Sequence, residues 1–78
     1  MSTAKETREL AALGKGCLGK AADSEPVFVL RGQDRLAPLL VGMWAASAAL
    51  YGCPEEKIVE AQALAQQMRE WPHRKNPD

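Results

Sequence analysis

The stretch Gly14, Lys15, Gly16, Cys17, Leu18, Gly19, Lys20 and Ala21 holds the residue types of this chain best suited to phosphate chemistry. Gly14, Gly16 and Gly19 match the G-x-G-x-x-G spacing of a dinucleotide-binding turn, where glycines let backbone N–H groups approach a pyrophosphate. Gly14, Gly19 and Lys20 also match a P-loop up to its last position, where a hydroxyl must hold magnesium and Ala21 has none. Both motifs require a preceding strand, whereas the preceding segment AKETRELAAL is rich in helix formers. A nucleotide hydrolase also requires a parallel sheet, for which 78 residues leave no room. The stretch is therefore read as a flexible hinge. A lesser alternative has Lys15 and Lys20, with glycine N–H groups, holding an anion at a subunit interface.

The remaining reactive side chains do not form a catalytic set. Cys17 and Cys53 lack the paired spacing of a zinc site, and His73 is the single imidazole, so no metal site is expected within one chain. Cys53 precedes a helix start that would lower a thiol pKa, but Glu55 and Glu56 oppose this, and the sole base is a tail residue. Cys53 is thus expected as a buried structural residue. Glu55, Glu56, Glu60 and Glu70 read as the solvated face of a helix. The densest polar cluster, Arg31 to Arg35, reads as a turn with Asp34 as helix cap. In the sharper reading Arg31, Gln33 and Arg35 form a partner-binding edge, since Arg is enriched at binding hot spots.

Few elements are available to position these residues. Residues 4–13 form a first short helix with Ser2 and Thr3 as caps and little apolar bulk. Gly14, Gly16 and Gly19 break any helix and make 14–26 a connector ending at Pro26. Val27 to Leu30 is one β-type run, too short to make a sheet, so it packs as extended chain or pairs with a second subunit. Asp34 then opens a long helix with Leu36, Leu39, Leu40, Met43, Trp44, Ser47 and Leu50 as its apolar stripe, stopped by Gly52. A second long helix starts at Cys53 and Pro54 and presents Ile58, Ala61, Leu64, Ala65, Met68 and Trp71, ending at Pro72. Trp44 and Trp71 are expected in the core, with exposure of Trp71 as the alternative.

Composition sets the bounds. Ten basic and ten acidic residues give a net charge of zero, which argues against a dedicated nucleic-acid or membrane-surface binder. The 46% hydrophobic share is mostly Ala and Leu and favours helix. No apolar run reaches membrane-spanning length, and the start MSTAKETREL lacks a signal peptide's apolar region, so a cytoplasmic location is expected.

The segments GKGCLGKA, EPVFVLR, DRLAPLLV and MWA, with the helix ending MREWP, resemble a group of short bacteriophage and prophage proteins without assigned activity. The resemblance covers about residues 14–46 and implies an accessory phage product acting in a bacterial host cell. Such products are rich in small inhibitors of host defence and regulators of host proteins. It transfers no functional residues.

The expected fold is mainly α: an antiparallel two-helix hairpin over 27–72 with an N-terminal extended segment or short strand. Residues 1–26 form a flexible or partner-docked segment and 73–78 a polar tail. The first long helix carries more apolar surface than one partner helix can cover. A homo-oligomer joined through Leu39, Leu40, Met43 and Trp44 is therefore expected. The expected function is non-enzymatic binding, without cofactor, to a host protein, as an inhibitor or modulator of a defence system. The alternative is an oligomeric sponge for nucleotides or cyclic nucleotides using Lys15, Lys20, Arg31 and Arg35. A DNA-binding regulator ranks last, because Glu55, Glu56, Glu60 and Glu70 outnumber Lys57 and Arg69 on the would-be recognition helix.

Overall fold

Four helices carry the part of the chain that this computed structural model describes, residues 3–76: α1 (Ala4–Ala12), α2 (Gly16–Lys20), α3 (Ala37–Leu50) and α4 (Glu55–Glu70). The protein is mainly helical. Local chemistry explains most boundaries. Thr3 caps α1, its hydroxyl accepting from the Glu6 N–H at 3.2 Å and donating to the Glu6 carboxylate at 3.2 Å, which satisfies one of the donors a helix start leaves unpaired. Ser2, the other cap expected, lies outside the described residues.

Two helices end by the same device. Gly14 takes a left-handed φ of 69° after α1, and the N–H groups of Gly14 and Lys15 donate to the carbonyls of Ala11 (3.0 Å) and Leu10 (2.8 Å). Gly52 takes φ 72° after α3, where Gly52 and Cys53 donate to Ala49 (3.3 Å) and Ala48 (3.1 Å). This double closure turns the chain back while pairing the last carbonyls, and it favours glycine because a Cβ disfavours positive φ.

Helix-to-helix packing is confined to two pairs, α1 with α2 and α3 with α4. The first pair corrects the expectation that the glycines exclude helix: Gly16–Lys20 is helical and folds onto α1. Gly19 makes this approach possible, since a Cβ there would stand 2.7 Å from the Gly14 carbonyl carbon and 3.2 Å from the Ala11 Cα.

In the second pair the contact face of α3 is small: Ala37, Pro38, Ala45 and Ala48 are buried, with Val41 and Gly42 half-buried. On α4 it is Ala65 and Met68, flanked by half-buried Ile58, Ala61 and Leu64. Leu36, Leu39, Leu40, Met43 and Leu50 lie away from this contact face and Trp44 stands at its rim beside the α4 groove, all of them exposed. At 100° per residue, positions 36, 40, 43 and 50 fall across the helix from 38, 41, 45 and 48. Both tryptophans depart from the expected core placement: Trp44 is 53% and Trp71 52% exposed. Among the described residues no large side chain is fully buried.

Among the described residues there is no strand, so the short-strand alternative for 27–30 is not realised. One run of four apolar residues has no second run in the chain to pair with. Val27, Phe28 and Val29 are exposed, and Leu30 is half-buried. Among the described residues no helix is long and apolar enough to cross a membrane.

The open arrangement shows in the dimensions. The chain exposes 6317 Å², where the scaling for a folded monomer of 8.5 kDa gives about 4,650 Å². Its radius of gyration is 13.2 Å, against about 11.5 Å expected for this length.

Candidate functional site

The segment 31–35 is held from three sides. Asp34 opens the approach to α3: its carboxylate accepts from the Leu36 N–H at 2.8 Å and its carbonyl from the Ala37 N–H at 3.1 Å. Asp34 thus shapes a turn ahead of the helix, and α3 proper begins at Ala37, with Leu36 in the capping position and no side-chain cap. Pro38 lies in the first turn, where its missing N–H has no intrahelical partner to lose.

The second hold comes from the C-terminal residues. The Lys75 N–H donates to the Gln33 carbonyl at 2.8 Å, and the Arg35 N–H donates to the Lys75 carbonyl at 3.0 Å, forming an isolated parallel bridge between Asp34 and Lys75. Residues 73–76 are therefore not a free polar tail. The Arg74 guanidinium donates to the Met68 carbonyl, a last-turn carbonyl of α4 that also accepts from the Trp71 N–H at 3.3 Å. Third, Gly32 lies against α4, where a Cβ would come within 3.8 Å of Met68 Cγ and 3.9 Å of Trp71 Cγ. The Trp71 ring meets His73 edge-on at 6.3 Å.

This clamp leaves a shallow cleft of about 230 Å³ lined by Phe28, Val29, Arg31, Gln33, Asp34, Lys75 and Asn76. Arg31 and Gln33, expected to act together, do meet in it. Arg35 lies outside its lining but belongs to the same bridged segment, and both arginines are exposed. Lys75, Phe28 and Asn76 were not anticipated. Lys75 carries no sequence signal, because its contribution is a non-local backbone pairing. Arg74 does carry one, since basic residues near a helix C-terminus commonly pair its last carbonyls.

Lys15 and Lys20 lie elsewhere, as the residue before α2 and its last residue, and neither lines the cleft. Both are exposed. Cys17 and Cys53 are free thiols, the first exposed and the second half-buried rather than buried as expected. The Cys53 N–H closes the end of α3, which places that residue by backbone and not by burial. Among the described residues no three His, Cys, Asp or Glu side chains converge as metal ligands.

A second, larger groove of about 600 Å³ runs beside α3 and α4. It is lined by Phe28, Leu30, Leu40, Val41, Trp44, Ala61 and Leu64, by Cys17 from α2, and by Lys57 and Glu60. Leu40 and Trp44 of the expected oligomer face open into it, while Leu39 and Met43 lie on the outer face and do not line it.

No known protein family matches this chain, and neither a characterised protein nor a solved structure shows significant similarity to it.

Proposed function

We propose that this chain is a small non-enzymatic binding protein whose α3–α4 pair, read as an antiparallel hairpin, presents Arg31, Gln33 and Arg35 to a protein partner. One observation carries the reading: the backbone of these residues is clamped by Lys75 on one side and by Met68 and Trp71 on the other, while both arginine side chains stay exposed. An anchored Arg loses less freedom on binding than one on a loose loop, and its planar guanidinium can meet a carboxylate through two hydrogen bonds. The resemblance to phage accessory proteins supports a bacterial host protein as the target and gives the reading its specific form, an inhibitor or modulator of a defence system.

The test is a paired capture from host lysate with the wild type and an Arg31→Glu/Arg35→Glu variant, followed by affinity measurement on the purified target. Hot-spot residues predict a loss of about 2 kcal/mol or more, near thirtyfold in Kd, with helicity unchanged. Equal affinity of both proteins for the same target would refute the assignment.

The cleft supports a second reading, capture of a small anionic ligand such as a nucleotide, because Phe28 offers a ring beside Arg31 and Lys75. Asp34 places a carboxylate in the same lining and opposes an anion there, which ranks this reading second. Thermal shift with nucleotides tests it. A ligand at 100 times its Kd adds about 2.7 kcal/mol of stability.

A further inference from the structure

We infer that the exposed apolar face running from Met43 across Leu40 to Trp44, at the rim of the α3–α4 groove, is a homodimer interface, covered by the same face of a second copy. This inference is independent of the Arg31 and Arg35 edge. A helix that is apolar around its whole circumference is a buried helix. From Leu36 to Pro54 the chain carries no charged residue, yet its own fold covers only the small-residue side of α3. Leu39, Met43 and Trp44 remain 58%, 57% and 53% exposed. The α1–α2 pair does not pack on α3.

Three observations select a second copy as the occupant. The first is area. The 6317 Å² surface exceeds that of a typical folded monomer of this mass by roughly 1,700 Å². Obligate homodimers bury about 1,000 to 2,500 Å² per protomer, whereas a standard-size complex buries about 800 Å² per partner. The second is charge. The groove beside Trp44 is edged by one base, Lys57, and one acid, Glu60. In a two-fold contact a patch meets itself, so residue i faces j while j faces i. An edge with one charge of each sign can therefore pair Lys57 with Glu60 of the second copy twice, whereas a strongly acidic or basic partner meets repulsion at one of them. The third is the net charge of zero, which leaves two copies without mutual repulsion.

The experiment is sedimentation equilibrium of the full chain across protomer concentrations, with four variants. Wild type is expected as a particle of about 17 kDa, twice the 8.5 kDa protomer. Met43→Glu puts a charge on the outer face without touching the α3–α4 contact and should give a monomer. Because that variant could also unfold, Lys57→Glu and Glu60→Lys are measured as well. Each single reversal creates like-charge pairs at an exposed edge and should raise the dimer Kd about tenfold, and the double reversal should restore it. A wild type that sediments at 8.5 kDa at high micromolar concentration, with cooperative unfolding independent of concentration, overturns the inference. A dimer indifferent to Met43→Glu overturns the assignment to α3.

Discussion

Gly42 sits in the middle of α3, on the side that faces α4, and its replacement by alanine separates two explanations for a glycine there. If Gly42 exists to permit close helix approach, a methyl group should destabilise the pair. The structure says otherwise. A Cβ at position 42 would meet only the Arg69 Nη2 at 3.7 Å, an ordinary van der Waals contact with the end of a flexible side chain. Its backbone φ lies outside the left-handed region that Gly14, Gly16 and Gly52 occupy, so alanine adds no strain. Glycine within a helix costs about 0.8 to 1.0 kcal/mol relative to alanine. Gly42→Ala should therefore stabilise the fold by about 1 kcal/mol, or about 4–8 °C in Tm for a domain of this size. Arg69 also donates to Gln66 at 3.1 Å, a contact the methyl group does not displace. The assay is thermal unfolding followed by far-ultraviolet circular dichroism, at equal protomer concentration so that association does not enter the comparison. A Tm below wild type would refute the reasoning, showing that α3 and α4 approach more closely at this point than the geometry allows for.

Other glycines and caps behave differently. Gly19→Ala should lower stability by about 1–3 kcal/mol, as overpacking does, because its Cβ would meet Gly14 backbone atoms at 2.7 and 3.1 Å. Loss of helical signal on mild heating reads this out. Asp34→Ala removes the acceptor of the Leu36 N–H in the turn ahead of α3 and should cost about 0.5–1.5 kcal/mol in denaturant unfolding, without weakening partner contacts made by Arg31. Ala45→Leu forces a larger side chain into a nearly inaccessible position between α3 and α4. It should cost about 1–3 kcal/mol by the same assay.

Most helix boundaries were written in local chemistry. Thr3 with Glu6, Gly52 after the last turn of α3, and Pro54 ahead of α4 with Glu55 and Glu56 in its first turn act through neighbours a few residues away, so spacing alone locates them. The inward side of α4 was also legible, because Ile58, Ala61, Leu64, Ala65 and Met68 recur at helical spacing among mostly polar residues such as Glu60, Gln62, Gln66 and Gln67. In α3 that contrast is missing. Every side of the helix is apolar, and periodicity cannot tell which side turns inward. Packing decided it by size: Ala37, Pro38, Ala45 and Ala48 are buried with Gly42 beside them, leaving Leu39 and Met43 outward and Leu40 and Trp44 at the groove. The Gly16–Lys20 helix was hidden for a related reason, since glycine disfavours helix locally and is required here only because Gly19 touches Gly14 across the turn. The clamp on Arg31 to Arg35 depended on tertiary structure altogether. Lys75 reaches Gln33 and Arg35 through main-chain hydrogen bonds, which any residue but proline can make, so the residue types carry no mark of that pairing before the chain has folded.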